Sequence, residues 1–416
     1  MCSFILTTKE LTHTEYNDVL QRRGPDYTNQ VKYDRYQMTH HLLDVSKQKI
    51  IQPIIEDSIA LLYNGEIYEP NNIYKQDTLG IIPHYREEGV MFVQSISGEF
   101  AICILDLKNG KIYLYTDIFG TKPLYYAVDA DDISVCSYKS PLKEIGHKKI
   151  FRVPESSLVE ICTVTNTTKL LRYHQFNLNE HVNDYDNCIA ALNKAIDIRI
   201  GDDTAMGMSS GYESGYMLQR AVTKSSQIDV YYVDNGLEED NVMKDRLRYL
   251  EQHDYKYNTI EYNQNINMYN TIEGMFIERS VEAGNKYKDC VSAMMLSHMF
   301  RRVRNNGNNI FITGQGGDEL MTDYCAPDEG NRLYMSNLNT YFPWRNFYSG
   351  LNRRLIDMCE RIGGAFGIEC RYPFLDRYFV QEFLNLSRKL KNNGYKPLIY
   401  KHLNIPVATN KIGLYY

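Results

Sequence analysis

The chain has 416 residues, 43% hydrophobic and 24% charged, with a formal net charge of -6. This is the ordinary balance of a soluble globular protein, and the length favours two or three domains over one. The negative charge argues against a nonspecific nucleic-acid or anionic-membrane surface, and no stretch is long and apolar enough to span a bilayer. The opening Met-Cys-Ser-Phe-Ile-Leu-Thr-Thr-Lys lacks a basic region followed by an apolar core, so the cytoplasm is the expected location. The 9 cysteines are scattered with no Cys-x-x-Cys pair, which predicts free thiols rather than a disulfide framework or a zinc site.

Cys2 is the first residue of chemical interest. A lone cysteine is ordinarily a small buried hydrophobe. Here, removal of Met1 would place a thiol and a free α-amino group on one residue, and the amine could serve as the thiol's own base. Arg23-Gly24-Pro25-Asp26 has the composition of a turn. Ser58 to Tyr63 reads as a buried strand that stops at Asn64-Gly65-Glu66-Ile67-Tyr68. An Asn-Gly at a strand end offers a side-chain amide and a backbone N–H, the two donors of an oxyanion hole; it is equally the favoured turn of a hairpin. Gly98 to Asp106 and Lys111 to Thr116 predict two strands around the turn Lys108-Asn109-Gly110, and Asp117 to Tyr126 follows directly. Strands dominate this half, as in a sheet-rich domain of roughly 170 residues.

The pattern then changes. A helix is predicted over Ile189 to Ile200, a short strand leads through Met206-Gly207-Met208, and the loop Ser209-Ser210-Gly211-Tyr212-Glu213-Ser214-Gly215 opens into a helix from Tyr216. A strand from Gln227 to Val233, a helix from Glu238 to His253, a strand from Lys256 to Tyr262, a helix from Val291 to Arg304 and a short β-rich run from Asn309 to Thr313 complete the alternation. Such alternation argues for a parallel sheet with helices on both faces, with ligands at the strand carboxyl ends. The Ser209 loop, rich in hydroxyl and N–H donors before a helix, suits a phosphate or pyrophosphate, although Ser and Gly also punctuate ordinary turns. In Gly314-Gln315-Gly316-Gly317-Asp318-Glu319-Leu320 the glycines permit close ligand approach, and Asp318 places a carboxylate where a metal bridging phosphates would sit.

Cys2, Arg23 to Asp26, Asn64 to Tyr68, Gly98-Glu99-Phe100-Ala101 and Asp117 to Tyr126 resemble, in order and spacing, the glutaminase domain of glutamine-dependent asparagine synthetases. Ser209 to Gly215, Gly314 to Leu320 and Gly367-Ile368-Glu369-Cys370-Arg371-Tyr372-Pro373-Phe374-Leu375-Asp376 resemble the ATP-pyrophosphatase domain of the same family. The resemblance implies an α+β N-terminal-nucleophile sandwich, antiparallel sheets between helices, at residues 2–175. It implies an α/β synthetase domain with a parallel sheet, of the adenine nucleotide α-hydrolase-like kind, at residues 183–416. Carried over, Cys2 attacks the glutamine amide, Asn64 and Gly65 hold the oxyanion, and Glu66 and Asp77 hold the amino group. Ser209, Ser210, Gly211, Ser214, Gly314 and Gly316 would seat ATP, Glu213 and Asp318 would hold Mg2+, and Lys411 would stabilise the adenylation transition state. Ammonia would pass internally to a small-molecule carboxylate activated as an acyl-adenylate, and a homodimer is a compatible assembly.

Four positions depart from the family pattern. His41 replaces an Arg that grips the glutamine carboxylate, and an imidazole cannot make a bidentate guanidinium pair. Ser210 stands within the altered loop, and Glu213 replaces an Asp, lengthening the arm by one methylene. Gln315 replaces a Glu that takes a proton from the attacking amine, which a carboxamide cannot do. Either another group takes that proton or the acceptor differs from aspartate; we favour the second reading, with Gln315 as an acceptor-side residue. The alternatives are a non-catalytic glutamine or nucleotide binder and a ring-closing amide synthetase; the retained Cys2 and oxyanion pair favour ammonia transfer over ring closure.

Overall fold

A computed structural model describes residues 2–11, 16–70, 77–224, 228–234, 240–261, 291–322, 342–394 and 396–407. These fall into two compact units. One contains the described residues of Met1–Gln175 and Glu360–Glu369; the other contains those of Phe176–Ile272, Tyr287–Cys359 and Cys370–Tyr416.

The first unit is built from two six-stranded sheets whose assigned strand pairs are antiparallel. Its strands are β1 (Ser3–Thr7), β2 (Tyr27–Tyr33), β3 (Tyr36–Leu42), β4 (Ile54–Glu56), β5 (Ile59–Glu69), β6 (Ser97–Asp106), β7 (Lys111–Thr116), β8 (Tyr125–Val128), β9 (Ile133–Cys136), β10 (Phe151–Arg152), β11 (Ser157–Cys162) and β12 (Thr168–Arg172). The spatial orders are β10-β8-β9-β1-β3-β2 and β12-β11-β7-β6-β5-β4. Side chains alternate between the two faces of a strand, and both faces are covered here. Phe4 and Leu6 of β1 join Ala60 and Leu62 of β5 in the core between the sheets. Ile5 points the other way, onto Leu20 of helix α1 (Tyr16–Arg23). Leu61 and Tyr63 pack against Ile81 and Ile82 of α2 (Asp77–Glu88). Leu142 of α3 (Lys139–Glu144) completes the layer beneath β1. The result is an α+β sandwich of two antiparallel sheets, with helices outside both.

The strand expected to stop at Asn64 instead runs on to Glu69, paired with β6 throughout and with an irregularity between Ile67 and Glu69. Gly65 is therefore no hairpin turn. A Cβ there would stand 2.0 Å from the Glu99 carbonyl oxygen, and a Cβ on Gly98 would stand 2.2 Å from that of Glu66. The two glycines let the strands approach at nearby positions, Gly65 opposite Phe100 and Gly98 opposite Ile67, which explains why both lie in the motifs read from the sequence.

In the second unit, α4 (Asp186–Asp197) precedes β13 (Thr204–Met208), α5 (Tyr212–Thr223), β14 (Asp229–Asp234), α6 (Asp240–Gln252), β15 (Tyr257–Glu261), α7 (Val291–Asn305), β16 (Ile310–Ile312) and the short α8 (Gly317–Met321). With β17 (Glu369–Arg371), the strands form a sheet of order β15-β14-β13-β16-β17; the β13, β14, β15 and β16 pairings are parallel. The order reverses at β13 and β16, so the loops leaving these strands share the position where open α/β sheets take ligands. Those loops are the Ser209 and Gly314 segments. Among the described residues no helix is long and apolar enough to cross a membrane, and the described cysteines Cys2, Cys103, Cys136, Cys162, Cys188, Cys359 and Cys370 are free thiols.

Candidate active site

Cys2 is half-buried just before β1 and is fixed through its backbone on both sides. Its N–H donates to Asn64 Oδ1 at 2.8 Å, and its carbonyl accepts from Arg23 Nε at 3.0 Å. Arg23 is fully buried; it also donates to Tyr138 Oη at 2.9 Å and pairs with Glu360 at 2.6 Å. Lys122 Nζ reaches the other Glu360 oxygen at 3.0 Å. The remainder of the Arg-Gly-Pro-Asp turn is equally constrained. A Cβ on Gly24 would lie 2.1 Å from the His41 carbonyl oxygen, and Asp26 Oδ2 accepts the Asp44 N–H at 2.8 Å. This turn thus supports Cys2 and the segment after β3.

Asn64 is fully buried. Its Oδ1 is taken by Cys2, while its Nδ2 has no hydrogen-bond partner among the described residues. An orphan amide donor beside a thiol is a device for receiving an oxyanion, because a buried donor left unpaired is costly unless a ligand meets it. Cys2, Gly65, Glu66, Asp77 and Glu369 line a cavity of about 160 Å³, together with part of the segment after β3. Burial pushes the Cys2 thiol above its usual range, and the carboxylates of Glu369 and Glu66 push it further in the same direction. The thiol therefore needs a base to become nucleophilic.

Asp77 is held by four donors: Tyr63 Oη at 2.6 Å, Ile67 N at 3.2 Å, and Thr78 N and Oγ1 at 2.6 and 3.3 Å. Burial nevertheless raises its pKa. Gln52 clamps the neighbouring strand, accepting from Tyr63 N at 2.6 Å and donating to Tyr63 O at 3.1 Å. The acidic walls suit a ligand that presents an ammonium group.

The structure does not bring His41 to this cavity. It is fully buried on the interior strand β3, with Nδ1 bonded to Thr28 Oγ1 at 2.8 Å and Nε2 without a partner. Burial lowers its pKa to about 4, and burial with the adjacent His41 lowers that of His40 to about 3, so neither is a cation at neutral pH. In this structure His40 and His41 offer no cation to the cavity at Cys2.

In the second unit, Gly211 immediately precedes α5, and among the described residues no side chain caps the helix's first N–H groups. Uncapped donors at a helix start fit an anion. Ser209 and Ser214 share a hydroxyl hydrogen bond of 2.8 Å, and Ser210 is buried beside them. The loop's carbonyls are held from beneath by Arg246 of α6, which sequence reasoning missed. Its fully buried guanidinium donates to Ser209 O, to Gly211 O at 2.9 Å and to Pro406 O at 3.0 Å. A Cβ on Gly215 would meet Arg246 Nη2 at 2.4 Å.

The Gly314 segment serves packing before ligands. A Cβ on Gly314 would lie 2.7 Å from Glu213 Cβ, and Gly316, at φ 89°, would strike Leu375 at 2.4 Å. Gln315 Oε1 is buried without a partner. Glu319, buried under the loop, accepts the Gly316 N–H at 3.2 Å, and burial raises its pKa to about 7. Glu213 and Asp318 do come together, but around the ammonium of Lys396, which bonds to both carboxylates. Among the described residues no group of three or more His, Cys, Asp or Glu is placed to hold a metal ion. The pair as arranged does not fit a divalent cation, because its centre is already filled by a charge. Lys411 lies outside the described residues.

Glu369 and Lys396 were also missed as contributors. Glu369 belongs to a motif that the sequence assigned to the nucleotide domain, and the structure puts it in the wall of the Cys2 cavity. Lys396 had no motif to mark it.

Comparison with known proteins accords with this geometry. A family model described as a glutamine amidotransferase domain matches residues 1–176. The N-terminal part of the chain is thus similar to such a domain. An asparagine synthetase (glutamine-hydrolysing) 2 of Bacillus subtilis is 34% identical over 124 residues, covering 26% of this chain and 16% of that protein. A probable asparagine synthetase (glutamine-hydrolysing) of Schizosaccharomyces pombe is 22% identical over 429 residues, covering 91% and 73%. Over most of its length the chain is similar, at low identity, to glutamine-hydrolysing asparagine synthetases. Among solved structures, a Bacillus subtilis glutamine phosphoribosylpyrophosphate amidotransferase aligns over 98% of this chain and 99% of its own, at 12% identity and a TM-score of 0.34.

Proposed function

We propose that the protein is a glutamine-dependent amidotransferase that hydrolyses glutamine at Cys2 and gives the ammonia to a carboxylate activated by ATP as an acyl-adenylate. Residues 2–175 would form the glutaminase domain and residues 183–416 the synthetase domain. The observation that carries the glutaminase reading is the division of labour in Asn64, whose Oδ1 fixes Cys2 while its Nδ2 is left without a partner. Removal of Met1 would free the Cys2 α-amine, of pKa about 8, to take the thiol proton. The sulfur then adds to the glutamine side-chain carbon, and the oxyanion meets Asn64 Nδ2 and the Gly65 N–H. Collapse breaks the C–N bond, ammonia leaves with the transferred proton, and water cleaves the thioester to glutamate. Glu66 and Asp77 supply negative charge for the glutamine ammonium group.

The synthetase half of the reading is supported by the uncapped start of α5 at the sheet's reversal point. Pyrophosphate would sit there, with Ser209, Ser210, Gly211 and Ser214 around it. Gln315, with an unpartnered amide oxygen, supports an acceptor that offers a hydrogen-bond donor and differs from aspartate. No step is assigned to a metal ion at Glu213 and Asp318.

Glutamate release from glutamine tests the first half. Cys2→Ala should reduce it by at least about 10,000-fold, and equal release by the variant would exclude Cys2 as nucleophile. A screen of carboxylic acids for glutamine-dependent formation of AMP with pyrophosphate tests the second. Formation of ADP and phosphate would exclude adenylation, and absence of both activities would favour a non-catalytic binder.

A further inference from the structure

The pair that sequence reasoning assigned to a divalent cation already holds a cation of the chain's own. Lys396 Nζ contacts Glu213 Oε1 and Asp318 Oδ1. Lys396 is 1% exposed, and its Nζ lies 5.8 Å from the centre of the Tyr212 ring. An ammonium in contact with two carboxylates and near an aromatic face meets opposite charge on both and a favourable ring face in its desolvated surroundings. The residue precedes helix α9 (Pro397–His402) in a left-handed backbone conformation, φ 45°, which favours glycine, yet a buried lysine stands there. Glu213, where the family loop has Asp, is one of the two carboxylates in the contact.

We propose that Lys396 is the resident cation of the Glu213 and Asp318 pair and excludes divalent metal from it in the nucleotide-free protein. Two carboxylates committed to one ammonium have no centre left for a second cation, and a metal placed there would meet like-charge repulsion at contact range. Removing the lysine takes the ammonium away from the two carboxylates, the donor type that hard divalent cations favour. The inference is independent of the glutaminase reading and requires no nucleotide chemistry.

Mn2+ titration of the whole chain without nucleotide, followed by the loss of free-ion electron paramagnetic resonance signal, reads the site directly. Wild type should show no saturable Mn2+ site that Glu213→Gln removes. Lys396→Met should gain one, at least about tenfold tighter than any Mn2+ binding by wild type, and the Glu213→Gln, Lys396→Met double variant should lose it. Lys396→Arg, which keeps the charge, should remain without it. A folded Lys396→Met that gains no site would overturn the proposal, as would a wild-type site sensitive to Glu213→Gln. Should Lys396→Met fail to fold, lysine acetylation of the wild type followed by peptide mass spectrometry decides the matter. Lys396 should react at least about tenfold more slowly than the exposed Lys401 and be unaffected by Mn2+ alone. Equal rates, or release of Lys396 by Mn2+ alone, would overturn it. Glutamate release at Cys2 reports separately on the amidotransferase reading.

Discussion

The two candidate sites are made of similar residue types, yet they differ in what their polar groups have left to offer. Beside Cys2, Asn64 spends its oxygen on positioning and keeps a buried amide donor unpaired. Around Ser209, the loop's polar groups are largely engaged with one another or with buried cations. Arg246 takes the carbonyls of Ser209 and Gly211, the Ser209 and Ser214 hydroxyls meet, and Lys396 takes both carboxylates. A site with an orphan donor is preorganised for a reacting group. A site whose charges are internally balanced must exchange partners when a ligand arrives, which adds a cost to binding.

The sharpest way to break this contrast is to remove the orphan donor. Asn64→Ala should lower the rate constant for glutamate release by about 100- to 1000-fold, the usual consequence of deleting one oxyanion donor. Because Asn64 also fixes Cys2, Asn64→Asp is the complementary variant: it keeps an acceptor for the Cys2 N–H and removes the donor. If Asn64→Asp turned over at the wild-type rate, Nδ2 would have no part in the chemistry.

The second site should respond in stability. Arg246→Met leaves the carbonyls of Ser209, Gly211 and Pro406 without their buried partner, and should cost about 3 kcal/mol in denaturant unfolding. Gly215→Ala should cost about 1 to 3 kcal/mol in the wild-type background, since its Cβ runs into the guanidinium, and much less beside Arg246→Met. Strict additivity of the two substitutions would show that Arg246 is not what requires a glycine at 215.

Much of the first site was legible because its motifs answer one another locally. Gly65 and Gly98 mark the same close approach of two strands, and Cys2, Asn64, Glu66 and Asp77 each stand in a recognisable neighbourhood. The end of β5 was misread because Asn-Gly is a turn signal by composition, whereas here the glycine answers to the Glu99 carbonyl opposite. The burial of His41 was not legible, because the alternation of a strand gives parity, not the depth of the strand in a layered fold. In a sandwich with both faces of the sheet covered, His40 and His41 point to opposite sides and both are buried. The cations of the second site had no local signature at all. Arg246 reaches its carbonyls from α6 and Lys396 its carboxylates from about 80 to 180 positions along the chain, distances at which no motif or period speaks.

The buried histidines give the smallest and most specific test of the first site. Both are neutral in the folded state, with pKa values of about 3 and about 4 against 6.5 for the free side chain. The unfolded chain therefore binds protons first as pH falls. Stability is full above about pH 6.5 and declines as pH drops toward the folded values, by about 2 kcal/mol for each histidine at pH 5. Denaturant unfolding of His41→Asn should lose less stability between pH 7 and pH 5 than wild type, by about that amount. Since His41 does not reach the cavity, the same variant should release glutamate at pH 7 with an unchanged KM for glutamine. A raised KM would return His41 to the glutamine site, and an unchanged stability slope would mean that the ring is not kept neutral by its burial.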